Sequence, residues 1–338
     1  MTAPGTSLPT PPGVVRPTAR EAARLPTATD VARVAGVSQS AVSRSFTPGA
    51  SVAAAARARV LAAAEALGYH PNLLARTLTT GRSAIIGVAV GDLANPFYPH
   101  ILHHLSTRLA ATGRQTVLLG PTSLDWALHY RLDGLILAAT SLPSTLAQRC
   151  AQGGVPVVLL NRTSCLPGIA SVLGENAAGA REVARFLLAG RHQRIAFLAG
   201  PASAAASLRE RAFTGELTRA GKILFRRAQA PPTREGATLA AARLLVEPRP
   251  DAVFCHNDLI AMATIDAARA LGLAIPADLS VIGFDDTPAA AWPAYALTSF
   301  SQPAVAMADA AVALLDLAAG TRRIVPGQLV IRGSARLP

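Results

Sequence analysis

The 338-residue chain holds only three cysteines, Cys150, Cys165 and Cys255. They are odd in number, widely spaced and form no CxxC pair. That excludes a disulfide framework and fits reduced thiols of a cytoplasmic protein. Lysine is reduced to Lys222, so nearly all positive charge is arginine. Aromatic residues make up 4% and charged residues 15%, against 51% hydrophobic residues, so there is ample material for a buried core. No uncharged apolar run reaches the ~18 residues of a membrane span. Residues 1–26, rich in Pro, Thr and Ala with Arg16, Arg20 and Arg24, lack the apolar stretch of a signal peptide and are expected to form a disordered tail. There is no GxGxxG or GxxxxGKS/T loop, no nucleophile elbow and no spaced metal-ligand set. His100, His103 and His104 have no Cys or carboxylate cluster beside them and read as a solvated helix face. Neither cofactor nor metal is expected.

The sequence is rich in basic charge and in helix punctuation. Net charge is +12, and Arg20–Arg82 carries eight Arg against Glu21, Asp30 and Glu65. A basic balance favours a polyanionic partner. Within that stretch a first helix is predicted over Asp30–Ala35 with Thr29 as N-cap. Gly36 makes a sharp corner, and Ser38 caps a second helix, Gln39–Phe46. Val31, Val34, Val37 and Val42 are spaced to join the two helices. Gln39, Ser40, Ser43 and Arg44 are left on the outer face, where a recognition helix presents its reading side chains. Arg44 suits a guanine edge and Gln39 an adenine. A third helix, Val52–Leu67, stops at Gly68 with Pro71 behind it. The next seven residues, NLLARTL from Asn72 to Leu78, are too few for a helix stable alone in water.

DVARVAGVS, VSRSF, RVLAAAEALGYHPN and ARTLTTGRS follow one another without a gap and run into IIGVAV. In order and spacing this resembles the N-terminal DNA-binding domain of the lactose/galactose-repressor family of bacterial transcription regulators. The resemblance implies that Asn72–Leu78 becomes a hinge helix when paired with its dimer mate in the DNA minor groove. Leu78 would wedge between base pairs, and Ala75 and Arg76 would contact the groove beside it. It implies a homodimer on a roughly palindromic double-stranded operator, with Thr29, Ser38 and Asn72 among the residues facing DNA.

From Ala84 onward the pattern alternates. Apolar runs at 85–90, 116–120, 134–139, 155–160, 195–200, 252–257 and 280–286 are mostly separated by amphipathic helical stretches. That spacing predicts parallel sheets covered on both faces, in two doubly wound halves. The fold class expected is therefore α/β: a helix-turn-helix three-helix domain with a hinge helix, then a two-subdomain effector domain. The latter resembles the family's effector domain, which is similar to periplasmic sugar-binding proteins. The domains expected are a tail over 1–26, the DNA-binding domain over 27–71, hinge and linker over 72–82, and the effector and dimerisation domain over 83–338. The family's three chain crossings are expected near Asn161–Ser164, Asp286–Ala290 and Val325–Gln328. They would divide an N-subdomain (83–162 and 291–325) from a C-subdomain (163–290 and 326–338). The stretch from Gly120 to Asp133 is shorter than the family's usual loop and helix. No leucine heptads follow Pro338, so a tetramer built on a coiled-coil tail is not expected.

Ligands in open α/β sheets sit beyond the carboxyl ends of the strands. After the first strand come Asn95, a candidate helix cap, and Phe97 and Tyr98, which can stack on a sugar face or a nucleobase. Asn161 and Arg162 follow 155–160, and Asn257 follows 252–257. SLRERAFTG resembles the family's segment that supplies a ligand-binding arginine, and Arg211 matches that position with Arg209 as its neighbour. Asp285, first of the acidic pair after the 280–283 run, matches the family's effector acceptor. A carboxylate opposite a guanidinium suits a polyol or a carboxylated metabolite. The expected function is a cytoplasmic, sequence-specific transcription regulator controlled by a small-molecule effector, a repressor in the first reading, with activation left open because operator position decides it. A free sugar-binding protein and an enzyme on an α/β scaffold are the alternatives; the DNA-reading segment argues against the first and the missing catalytic motifs against the second. Whether the effector induces or co-represses is open at this level.

Overall fold

A computed structural model describes residues 25–47, 49–71, 82–91, 93–120, 131–138, 144–162, 168–317 and 320–338. The chain divides into two compact units, Met1–Thr80 and Gly81–Pro338. The hinge residues Asn72, Ala75, Arg76 and Leu78 lie outside the described residues, as does the short 121–130 connection.

The described residues of the first unit form three helices, α1 (Ala28–Ala35), α2 (Gln39–Ser45) and α3 (Ala54–Leu67). Helix α1 begins earlier than the sequence suggests. Its N-cap is Thr27 rather than Thr29, because the Asp30 carboxylate accepts both the backbone N–H (2.9 Å) and the hydroxyl (2.6 Å) of Thr27. Thr29 is thus inside the first turn and exposed. Gly36 (φ 63°) and Gly68 (φ 63°) end α1 and α3 in the left-handed region, where an L side chain is strained. Val31, Ala32, Ala35, Val42, Val60, Ala63 and Ala64 form the core, with Val37, Phe46 and Tyr69 packed against it. Val34 departs from the expected pattern and is exposed: it lies three positions from both Val31 and Val37, yet Ala32 and Ala35 occupy the inner face.

The described residues of the second unit form two six-stranded sheets. The N-sheet is built from β1 (Ile85–Val90), β2 (Gln115–Leu119), β3 (Gly134–Ala138), β4 (Val157–Leu160), β5 (Ile169–Gly174) and β11 (Arg322–Val325), in the order β11-β5-β4-β3-β1-β2. The C-sheet is built from β6 (Ile195–Ala199), β7 (Arg226–Gln229), β8 (Ala252–Cys255), β9 (Ser280–Asp285), β10 (Thr298–Ser301) and β12 (Leu329–Val330), in the order β12-β10-β9-β8-β6-β7. All pairings are parallel except β10 with β12. Helices α4 (Phe97–Ala111), α5 (Ser144–Gln152) and α10 (Ala304–Leu314) cover the N-sheet. Helices α6 (Asn176–Ala189), α7 (Ala204–Arg219), α8 (Arg234–Leu244) and α9 (Asp258–Ala270) cover the C-sheet.

Alternation along each strand sorts the core into layers. Ile86, Val88 and Val90 join Ile101 and Leu105 of α4 and Met307 of α10, whereas Ala89 faces the layer that holds Leu135, Leu137 and Ala147 of α5. Six of the nine phenylalanines, Phe186, Phe197, Phe213, Phe254, Phe284 and Phe300, gather in one C-sheet layer. Their ring centroids lie as close as 4.8 Å (Phe213–Phe254) and 5.0 Å (Phe284–Phe300).

Two of the three expected crossings fall elsewhere. The segment 169–174 is a fully buried strand of the N-sheet, in register with β4 (Val157↔Ile169), so the first crossing moves from Asn161–Ser164 to Gly174–Asn176. Strand β10 stays in the C-sheet, paired with β9 (Thr298↔Ile282), which moves the second from Asp286–Ala290 to Ser301–Ala304. The third runs between Val325 and Leu329. The subdomain bounds 83–162 with 291–325, and 163–290 with 326–338, shift to match. The crossings are bonded side by side: Gly327 N–H donates to Glu175 Oε2 (3.3 Å), and Ser301 N–H donates to the Gln328 carbonyl (2.8 Å). No room separates them. A Cβ on Gly174 would sit 2.8 Å from Gln302 Oε1, and one on Gly327 would overlap the Ser301 carbonyl.

Candidate DNA-reading face and ligand cavity

In the first unit Ser38 caps α2 by accepting the Ala41 N–H (3.2 Å). The helix therefore starts at Gln39, and Gln39, Ser40, Ser43 and Arg44 are all exposed on one unit. The Ser38 and Ser40 hydroxyls lie 2.9 Å apart, which orients Ser40 at the helix entrance. Arg59 of α3 donates from Nε to the Ala35 carbonyl (3.1 Å), closing an orphan acceptor at the end of α1 and fixing the corner before α2. A short, rigidly mounted helix with an arginine, a glutamine and three hydroxyls on its free face suits hydrogen bonding to base edges and phosphates.

In the second unit a cavity of about 330 Å³ opens where strand ends from the two sheets converge. Asn95 follows β1, Asn161 follows β4, Pro201 follows β6, His256 and Asn257 follow β8, Asp285 ends β9, and Gln302 follows β10; all line it. This is the carboxyl-edge position dictated by the parallel topology. Phe97 and Tyr98 of α4 also line it, with centroids 5.5 Å apart and planes at 75°. Asn95 Oδ1 accepts the Phe97 N–H (3.1 Å) and so sets the entry of α4. Asn161, at φ 56°, accepts the Gly174 N–H (3.3 Å) and ties the end of β4 to the end of β5. Asn257 caps α9 by accepting the Ile260 N–H (3.0 Å).

The charged centre is Arg209 with Asp285, 4% and 3% exposed. Arg209 donates from Nε to Asn176 Oδ1 (2.7 Å), from Nη1 to the His256 carbonyl (2.7 Å) and from Nη2 to Asp285 Oδ1 (3.5 Å). Its guanidinium lies 3.8 Å above the Phe284 centroid. Gln302 donates from Nε2 to Asp285 Oδ1 (2.5 Å). Burial pushes the Asp285 carboxyl up to about 6, against the Arg209 charge and the Gln302, Asn95 and Arg209 hydrogen bonds that pull it down. Burial likewise lowers Arg209, opposed first by Asp285. Behind them Asp258, wholly buried, is pushed up to about 8 by burial and by the Asp285 charge, while Ser299 and Thr287 bonds favour its anion. Two carboxyls near one guanidinium titrate as a pair.

The expected arginine is corrected by the structure. Arg211 is exposed and does not line the cavity; Arg209 does. The reason is helical phase. Arg209, Phe213 and Leu217 recur at i, i+4 and i+8 on the buried face of α7, and Arg211 lies two positions, or about 200°, away. Arg162 is also displaced. It lines a neighbouring hollow of about 250 Å³ together with Asn161, Glu175, Ala204 and Arg322. Asn176, His256, Asp258 and Gln302 were not singled out from sequence. His256 and Gln302 follow strand ends and were legible by that rule, but Asn176 and Gln302 belong to the crossings that the sequence misplaces. Among the described residues no three His, Cys, Asp or Glu side chains come together as a metal site. No helix among them is long and apolar enough to cross a membrane.

Residues 27–72 match the model of bacterial regulatory proteins of the lacI family, and residues 184–335 match a periplasmic binding protein-like domain. The HTH-type transcriptional repressor CytR of Escherichia coli (strain K12) is 30% identical over 326 residues, covering 91% of this chain and 95% of CytR. Among solved structures, the lac repressor dimer bound to operator and the anti-inducer ONPF is 28% identical with a TM-score of 0.80, covering 92% of this chain and 99% of that one. The complex of the transcriptional regulator CelR with cellobiose is 28% identical with a TM-score of 0.68, covering 92% and 100%. The DNA-reading helices, the two doubly wound sheets and these full-length relatives agree: the chain belongs to the LacI family of bacterial regulatory proteins.

Proposed function

We propose that the protein is a homodimeric transcriptional repressor whose operator affinity is set by a small polyhydroxylated effector bound in the cavity between the two sheets. The observation that carries this reading is the buried Arg209–Asp285 pair on the cavity floor, made from α7 and β9 and reached from β1, β4 and β10. A ligand hydrogen-bonded there touches both subdomains, so its affinity depends on how they close. Two relatives support the reading: the lac repressor dimer is held on operator with an anti-inducer, and CelR is seen with cellobiose.

On DNA, Gln39, Ser40, Ser43 and Arg44 would read one half-site in the major groove, with Thr29 and Ser38 near the phosphates. Asn72, Ala75, Arg76 and Leu78 would read and bend the centre. The effector shifts operator affinity only by its differential affinity for the two closures, and linkage makes the effect reciprocal. The cavity serves binding rather than turnover: Arg209, Asn257 and Asp258 are engaged in holding strands and helix starts in place. Selection of operator sequences from a random double-stranded pool by the full chain, followed by affinity with and without candidate sugars and nucleosides, tests the proposal. A palindromic consensus whose affinity changes with one of them is the expected result. Affinity indifferent to sequence would refute it.

A further inference from the structure

Most polar groups around the cavity satisfy one another, and two do not. His256 Nδ1 and Gln302 Oε1 are buried and have no hydrogen-bond partner among the described residues. Both residues line the cavity, and both follow strand ends that face it. Native proteins rarely leave a buried polar atom unpaired unless a ligand or water completes it.

The placement of His256 is built in. Gly200, just past β6, lies against the imidazole, and a Cβ there would overlap Cδ2 and sit 3.0 Å from Cγ and 3.2 Å from Ile260 Cδ1. The Cδ2 edge is thereby pinned to the Gly200 backbone, and Nδ1 lies on the opposite edge of the ring. The backbone carbonyl of the same residue accepts from Arg209 Nη1 (2.7 Å), so the ring is carried on the strand end that also seats the guanidinium. Burial and the Arg209 charge push His256 down to about 3, so the ring is neutral. A neutral imidazole keeps one nitrogen lone pair free to accept, and Nδ1 is the ring nitrogen left without a partner among the described residues. Gln302 Nε2 is committed to Asp285, which leaves its Oε1 as an acceptor too.

We propose that His256 is the specificity-determining residue of the effector cavity, its Nδ1 accepting a hydrogen bond from a hydroxyl or amine of the effector. The proposal rests on the reading of this cavity as the effector site and deepens it. It selects a ligand that presents a hydrogen-bond donor to Nδ1, and it disfavours analogues in which that donor is replaced by hydrogen or an ether. A site built to hydrogen-bond a group rejects the analogue lacking it far more strongly than an apolar pocket rejects a shape.

The test uses the full-length dimer and a fixed panel of D-ribose, D-galactose, cellobiose, adenosine and cytidine, with deoxy and O-methyl analogues of whichever binds. Calorimetric affinities are taken for the unmodified protein, His256→Ala, His256→Gln and Gly200→Ala. The expected result is at least a tenfold loss in His256→Ala, with discrimination between the parent compound and one deoxy analogue collapsing towards unity. His256→Gln, which keeps an acceptor, should recover part of that discrimination, and Gly200→Ala, which displaces the ring without removing it, should resemble His256→Ala. Unchanged discrimination in His256→Ala would overturn the role of His256 and leave the effector site standing. No binding of any panel member by the unmodified protein would overturn the effector reading, and the proposal with it. Side-chain nitrogen NMR supplies a ligand-free readout: His256 should hold one neutral tautomer from pH 5 to 8, and a ring that titrates in that range would also overturn it.

Discussion

Asp258 Oδ2 accepts two hydrogen bonds from Thr287, one from its backbone N–H at 2.6 Å and one from its hydroxyl at 3.0 Å. The other oxygen, Oδ1, accepts the Ser299 hydroxyl at 2.6 Å, and that same hydroxyl oxygen accepts the Asp286 N–H at 3.1 Å. One buried carboxyl on the first turn of α9 therefore holds the turn that carries Asp285 and the start of β10. Gly283 leaves no space for anything else there, since a Cβ would overlap Asp258 Oδ1. Asp258→Ala leaves at least three donors unpaired and is expected to destabilise the second unit by about 3–5 kcal/mol, the range for breaking a buried polar network. Chemical denaturation measures it. A cost within the ~0.5 kcal/mol usual for a surface change would show that the turn holds itself.

Arg209 and Arg211 separate a cavity role from a neighbouring surface one. Arg209→Ala strands a buried carboxyl, opens space over Phe284, and should cost about 3–5 kcal/mol of stability while abolishing the effector response. Arg209→Lys should not rescue it, because one ammonium cannot serve three separated acceptors and a ring face. Arg211→Ala should fall within about 0.5 kcal/mol of the unmodified protein and respond normally. Denaturation midpoints and effector-dependent operator affinity distinguish the pair, and a silent Arg209→Ala with a disabled Arg211→Ala would reverse the assignment.

Stability should depend on pH through the Asp285–Asp258 pair. Both folded carboxyls are raised, to about 6 and about 8, while unfolded Asp titrates near ~3.9. Between about pH 4 and 8 the folded chain holds protons that the unfolded chain has released, so this pair lowers stability as pH rises through that window. Asp285→Asn removes one carboxyl and relieves the other of its charge. The difference in unfolding free energy between pH 5 and pH 8 should shrink in that variant. Parallel slopes for the two proteins would mean the pair does not titrate in this window.

On the DNA side, Arg44→Ala should cost about 1–3 kcal/mol on the operator and relax preference at one base position. Its exposure at the free face of α2 motivates this. Affinities for single-base operator variants decide it: uniform losses on every sequence would assign Arg44 to phosphate instead.

Much of this architecture was legible because the relevant signals are local. Gly36 and Gly68 end helices by their backbone freedom, Ser38 caps α2, and apolar runs announce β1, β2, β3, β4, β6, β8 and β9. Four strands escaped for physical reasons. In β5, IASVLG mixes Ser, Ala and Gly into a buried run; β7 (RRAQ) and β11 (RRIV) lie at sheet edges and carry arginine; β10 (TSFS) buries hydroxyls that Asp258 and the Arg332 backbone satisfy. Missing β5 and β10 displaced two crossings, and Asn176 and Gln302 went with them. Arg209 was within reach: Phe213 and Leu217 announce its face of α7, and a helical projection separates it from Arg211. Asp258 was not, because an acidic residue on the first turn of a helix has an ordinary local explanation and its buried partners lie 29 and 41 residues away.

The tight seating of Gly174 against Gln302 and of Gly327 against Ser301 has an engineering consequence. A side chain introduced at either glycine would act as a shim, biasing the resting angle of the two lobes while leaving the base-reading helix untouched; at Gly174 it would also push on the Gln302 amide that lines the cavity. The response threshold of such a sensor and the address it recognises are thus written on separate stretches of chain. Each can be retuned without rewriting the other, which makes the two glycines the natural dials for building a graded set of switches from one scaffold.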